Sequence, residues 1–310
     1  MIASVKISRT TKRLVDISAE IMGEPEPDEL RFLHTILAQC SLPYREPPAG
    51  GRDYIRRNGK AALIVSGGFL MDPKTLEPVR QGIPYGAKPR LLMIHLCTEA
   101  VRRQQAKIPI ADSMSAFMRD LGLAVTGGKQ GSIGRFKEQL NRLAASRMQL
   151  IMAQEDRATL LNPAPMISRF DVWFPDDPRQ KVLWPSEVTL SAEFFESLKD
   201  RALPLDRRAI RGLQHNARAL DIYTWAAHRL PRVRANGGDF VSWQALQGQF
   251  GGETKATPEG LKTFKREFLS ALKAAAAAYP KAKVDQVDGG LRLYRSPPPI
   301  ARNKIEVLSP

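Results

Sequence analysis

The chain has 310 residues, enough for about two domains with cores of their own, and 43% of them are apolar. Lys and Arg number 47 against 32 Asp and Glu, a net charge of +15, which points to a polyanionic partner: nucleic acid first, an anionic membrane surface second. No apolar run approaches the about eighteen residues that would span a bilayer and no signal segment opens the chain, so no membrane partner and a cytoplasmic location are expected.

In chain order, residues 1–29 join a basic start, KISRTTKR, to an acidic, proline-containing run, GEPEPDEL, and read as a mobile arm. LRFLHTILAQC, from Leu30, reads as an amphipathic helix. DYIRRNG and KAALIVSGG are two strands joined at Asn58-Gly59, the dipeptide most typical of a tight hairpin. A helix begins near Pro89 with an apolar stripe of Leu92, Ile94, Leu96, Ala100 and Val101, and AKIPI follows as a brief strand. SMSAFMRDLG is a short helix with Met114, Phe117, Met118 and Leu121 at helical intervals. A glycine-rich turn leads to a second helix with Lys129 at its front. RMQLIMAQ and TLLN then form a hairpin through EDRA.

That glycine-rich turn, GLAVTGGKQGSIGRF, has the residues of a nucleotide-phosphate loop without its spacing. GxxxxGK[ST] needs four residues between its glycines and a hydroxyl after the lysine. Here five residues separate Gly122 from Gly128, and Gln130 follows Lys129.

SRFDVWFPDDPRQKVLWPSEVTLSAEFFESLKDRALPLD holds strand-like residues and a Ser191-led helix; its Trp173, Trp184, Phe194 and Phe195 read as core rather than as a base-stacking platform. The second half then repeats the order of the first: helix (ARALDIYTWAAHRL), strand (DFVSW), short helix (WQALQGQFG), glycine-bearing turn, long helix (LKTFKREFLSALKAAAAAY), and two strands around Asp288-Gly289-Gly290. Leu121-Gly122 aligns with Phe250-Gly251 at an offset of 129, and Phe136 with Phe264 at 128. One architecture used twice is implied. Helix, strand, helix, turn, helix, hairpin is the order of a winged helix. The expected fold is therefore α+β, with two tandem winged-helix domains at 30–175 and 205–296. Residues 176–204 connect them, and 297–310 form a tail.

A recognition helix needs an apolar side to seat it and a basic side for the groove. In the first unit Ile133, Phe136, Leu140 and Leu143 share one side. The candidate DNA contacts are Lys129, Gln130 and Ser132 at the amino end, where free backbone N–H groups suit phosphates, with Arg135, Asn141 and Arg142 along the helix. In the second, Leu261, Phe264, Phe268 and Leu272 seat the helix. Lys262, Arg266 and Lys273 lie opposite, Lys255 and Thr257 lead in, and Thr263 stands beside them. The outward stripe of this helix reads as free of acidic residues. A further basic run includes Arg207, Arg208, Arg211, Arg218, Arg232 and Arg234. It extends the footprint or solubilises the surface between the domains.

Cys40 and Cys97 are far apart in apolar contexts and read as reduced core thiols. His34, His95, His215 and His228 are scattered, so no metal site, cofactor or catalytic set is expected.

LPYREPP, GIPYGAKPRLLMIHLCTEAVR, SMSAFMRDLG and GGKQGSIGRFKEQLNRLAASRM resemble the plasmid-encoded RepA-type replication initiators of bacteria, from about residue 30 to 165 with a weaker continuation to about 295. The resemblance implies a non-catalytic protein that binds repeated double-stranded sites at a plasmid origin and brings in host helicase-loading and initiator proteins. It also implies a homodimer through the first domain, with the carboxy-terminal winged helix as the stronger sequence reader. Initiators that nick DNA use paired histidines and a tyrosine, and no His-x-His occurs here. The rival reading is a winged-helix transcriptional regulator with no origin role.

Overall fold

The computed structural model describes residues 9–23, 26–48, 53–72, 74–110, 113–128, 131–154, 157–162, 165–170, 187–234, 237–252, 254–255 and 257–301. In chain order the elements are α1 (Arg9–Met22), β1 (Leu30–His34), α2 (Thr35–Gln39), β2 (Asp53–Asn58), β3 (Ala61–Ser66), β4 (Phe69–Met71), β5 (Pro78–Arg80), α3 (Ala87–Arg103), β6 (Lys107–Pro109), α4 (Met114–Asp120), α5 (Ser132–Ala145), β7 (Arg147–Gln154) and β8 (Arg157–Asn162). They continue with β9 (Ile167–Phe170), β10 (Glu187–Leu190), α6 (Ala192–Arg201), β11 (Ala202–Asp206), α7 (Arg207–Leu213), α8 (Ala217–Arg229), β12 (Asp239–Ser242), α9 (Trp243–Phe250), α10 (Pro258–Ala277), β13 (Lys283–Val287) and β14 (Gly290–Tyr294). The mixture of helix and sheet is α+β. Among the described residues, no helix is long and apolar enough to cross a membrane.

Contacts divide the chain into two units, residues 32–203 and residues 1–31 with 204–310. Both repeat one topology. The strand before the helix pair, β6 or β12, pairs antiparallel with the second strand of a later hairpin, β10 or β14, and the hairpin's first strand, β9 or β13, lies on the far side. The orders β6-β10-β9 and β12-β14-β13 are counterparts, so the internal repeat read from the residues reappears as strand order.

This arrangement moves one element. The expected wing of the first unit, β7 with β8, instead joins β2 and β3 in a four-stranded antiparallel sheet, with Leu63 opposite Leu150 and Val65 opposite Met148. Leu63, Val65, Met148 and Leu150 are buried, which explains why this hairpin is drawn inward. The counterpart of the β13–β14 hairpin is β9 with β10, and β10 lies inside the stretch read as a connection. The tip of that hairpin, 171–186 with Trp173 and Trp184, lies outside the described residues. Leu30–His34 is a strand rather than the start of a helix. There His34 turns the chain, and its Nδ1 accepts the Ile36 N–H (3.2 Å) at the start of α2.

The arm also differs from expectation. Its helix α1 packs on α7 and α10 in the carboxy-terminal unit, with Ile17 buried against Gly212. At the other end Tyr279 donates to Pro297 O and Ile300 is buried, while 302–310 lie outside the described residues.

Each unit seats its long helix on aromatic rings. In the first, Phe136 meets Phe117 edge-on at 5.8 Å. In the second, Phe268 lies 5.3 Å from Phe264, 5.5 Å from Phe250 and 6.3 Å from Trp243, and Trp225 closes on Phe250 at 5.5 Å. Phe264 and Phe268 are fully buried. Phe264→Ala should therefore cost about 3–5 kcal/mol by opening a cavity, read as a lower urea midpoint.

His34 adds a pH dependence. Burial, reinforced by the charge of Arg201, lowers its pKa to about 3, and its Nε2 is buried without a partner. The folded state resists the proton that the unfolded chain accepts below about 6.5, so this stability is present at neutral pH and falls as pH drops from about 6.5 toward 3. At pH 5 the loss from this group is about 2 kcal/mol. Urea titrations at pH 7 and pH 5 should show it, and His34→Asn, which keeps a capping oxygen, should lose that much less on acidification.

Candidate nucleic-acid interface

The carboxy-terminal unit presents the clearer surface. α10 starts at Thr257, whose Oγ1 accepts the Gly260 N–H (3.1 Å), and Pro258 is preset for the first turn. The turn before it folds back on itself: Gln247 Nε2 donates to Thr254 Oγ1 and to Lys255 O, both at 3.1 Å. A Cβ at Gly260 would lie 2.0 Å from Lys255 O, so only glycine lets the turn close on the helix. With Phe264 and Phe268 facing inward, Lys262, Arg266 and Lys273 fall on the exposed side, and none of the three pairs with a described residue. Lys255 and Thr257 are exposed and Thr263 is partly so.

One expectation changes here. Glu259 is exposed and lies seven residues before Arg266, so the stripe contains an acid in its first turn, where the helix dipole favours one. The neighbouring faces are committed elsewhere. Lys265 lies over the Trp243 ring at 5.4 Å, and Glu267 takes Arg218 at 2.6 Å.

α5 offers less than its sequence suggests. Ser132 Oγ donates to Ala124 O (2.7 Å) and accepts the Thr126 N–H (2.8 Å), while the Ser132 N–H goes to Thr126 Oγ1 (2.9 Å). The Gly131 N–H is taken by Gly128 O and that of Ile133 by Thr126 O, so the loop itself occupies groups expected to face a phosphate. Asn141 is buried. Arg142 is turned inward: it bridges Glu46 (2.5 Å) and Glu138 (2.6 Å), donates to Ile83 O and lies over the Tyr85 ring. Gly82 leaves room for this guanidinium, since a Cβ there would come within 2.6 Å of Nη1. Only Arg135, of the four α5 candidates, is exposed. Lys129 and Gln130 lie outside the described residues.

Sequence reading missed Lys88, in the first turn of α3. Its pKa is lowered by partial burial and then by the charge of Arg135 of α5. Gly86, before α3, provides no side-chain cap. A helix start without a capping side chain at Gly86, with Lys88 two residues on, was the available signal.

Much of the 207–234 arginine run is spent internally. Arg208 chelates Asp206 (Nε to Oδ1 3.1 Å, Nη2 to Oδ2 2.8 Å), Arg211 meets Glu20, Arg207 faces Asp28 at 3.6 Å, and Arg229 holds Asp239 at 2.7 Å. Arg232 donates to His228 O. Arg234 is exposed.

Residues 83–245 match the family described as plasmid encoded RepA protein, more than half of the chain. The chain belongs to the plasmid-encoded RepA family. The match opens just before α3, takes in the helix pair of the first unit and ends inside α9 of the second. No curated protein and no solved structure matches the chain.

The inward turn of Arg142 makes a distinguishing prediction for this RepA-family chain. Arg142→Ala should strand Glu138 and the Ile83 carbonyl and lower stability by about 1–3 kcal/mol. Arg135→Ala should leave melting unchanged and weaken binding of duplex DNA. Thermal melts and anisotropy titrations on both variants check this.

Proposed function

We propose that the chain initiates plasmid replication by holding repeated double-stranded sites at the origin, with α10 in the major groove as sequence reader. In this reading α5, with Arg135, Lys88 and the lysine and glutamine at 129 and 130, supplies a weaker hold on the backbone. Host helicase-loading and initiator proteins are then brought to the site, with no catalysis by the chain itself. The protein works in the bacterial cytoplasm as a homodimer through its first unit.

Both units are read as winged helices: a helix pair, preceded by a strand that closes on a two-stranded wing. The observation that carries the reading is the exposed cation row of α10 (Lys262, Arg266, Lys273), without an ion-pair partner among the described residues and held outward by the buried Phe264 and Phe268. A polar, basic helix face opposite a rigid seat is what groove docking requires. Family membership supports the plasmid role. Supplying the gene in trans to an origin-only plasmid, and asking whether that plasmid persists, tests the function as a whole.

The interface is tested by dividing the row. Arg266, mid-helix, can pair bidentately with a guanine edge, worth about 1–3 kcal/mol of discrimination, whereas Lys273 meets phosphate. Arg266→Ala should flatten preference at one base pair of the repeat. Lys273→Ala should weaken all sequences alike and lower the salt slope by about one unit. Competition binding over single-base variants at fixed salt reads both. Uniform weakening by Arg266→Ala would make this residue a phosphate anchor.

A further inference from the structure

The docked arm covers arginines that the α10 reading does not use. Arg211 Nη2 meets Glu20 Oε1, and Arg207 Nη1 lies 3.6 Å from Asp28 Oδ2. The two arginines stand four apart on α7 and share a face. Between them Arg208 is fixed by Asp206, with Glu29 at 3.3 Å, and also donates to the carbonyls of Glu20 and Gly23 at 3.1 Å each. Residues 20–29 carry five carboxylates and no Lys or Arg. Three of them, Glu20, Asp28 and Glu29, face the guanidinium groups of Arg211, Arg207 and Arg208.

The hold is shallow. Ile17 is the buried apolar side chain of α1, seated where a Cβ on Gly212 would come within 2.7 Å of its Cγ1, while Val15 and Met22 are 59% and 81% exposed. The side chains of Arg207 and Arg211 keep 44% and 56% of their exposure while paired. Ion pairs this open contribute little and are screened by salt, so a denser array of negative charge displaces them. Guanidinium groups accept phosphate in the same two-pronged geometry as carboxylate.

We propose that Arg207 and Arg211 form a second phosphate-binding face, for the backbone of duplex DNA, which Glu20 and Asp28 of the amino-terminal segment cover until DNA displaces them. The ligand rests on the DNA-binding reading of α10; the face and its cover are additional to it. The arm then lowers affinity for arbitrary sequence, and release occurs where α10 already holds a site close by.

The test uses the full chain and a duplex of scrambled sequence at fixed salt. Glu20→Gln with Asp28→Asn leaves the Ile17 seat intact. It should bind about three- to tenfold tighter, with a salt slope steeper by about one to two units. Adding Arg207→Ala and Arg211→Ala should abolish the gain, and the control pair Glu193→Gln with Asp200→Asn should not produce it. Gly212→Val, which drives Ile17 off its seat, should give the gain by a different route. An unchanged affinity, an equal gain in the control pair, or a gain that survives loss of both arginines overturns the proposal. If Arg266→Ala still weakens binding in that case, the α10 reading stands alone. If no variant binds DNA and Arg266→Ala changes nothing, both fall together.

Discussion

Everything proposed for the carboxy-terminal unit depends on the burial of Phe264 and Phe268 against Phe250, Trp243 and Trp225. A helix of twenty residues carrying six ionisable side chains has many ways to lie on a small core. Two phenylalanines one turn apart, fully excluded from water, leave one rotation about the helix axis. That rotation puts Lys262, Arg266 and Lys273 in solvent, places Lys265 over an indole and gives Glu267 to Arg218. The cations are thus displayed by apolar packing and not by any ionic contact of their own. Phe136 plays the same part in the first unit, but the display there is narrower because α5 sinks Asn141 and Arg142 into the structure.

The legible parts of the fold were those governed by local chemistry. Asn58-Gly59 and Asp288-Gly289 turn their hairpins as read, with Gly59 at φ +55° and Gly289 at φ +78°, and Ser191 caps the helix it leads. The order of elements in the second repeat and the helix pair of the first were also visible, because apolar spacing reports them. Pairing between distant strands was not. RMQLIMAQ carries the same alternation whether it closes on β6 or on β3, and nothing local distinguishes the two. The β4–β5 ribbon went unread.

The candidate interface was legible on α10 and poorly so on α5, for a related reason. A basic residue at an outward helical position is a surface charge until a distant partner claims it. Glu46 lies ninety-six residues before Arg142, and Glu20 lies 191 before Arg211. Helical spacing cannot report such partners, so net charge overstates the positive surface available. The arginines of α7, which read as an extended footprint or a solubilising surface, are paired with carboxylates of the segment that read as a mobile arm.

The position of α1 also bears on how the molecule is made. The helix α1 finds its seat, Gly212 of α7, only after some two hundred further residues have been synthesised. During that interval the unit from 32 to 203 is complete in sequence and free to fold, whereas Leu14, Ile17 and Ile21 wait without a partner. The carboxy-terminal unit is therefore closed by α1, an element made long before the rest of that unit.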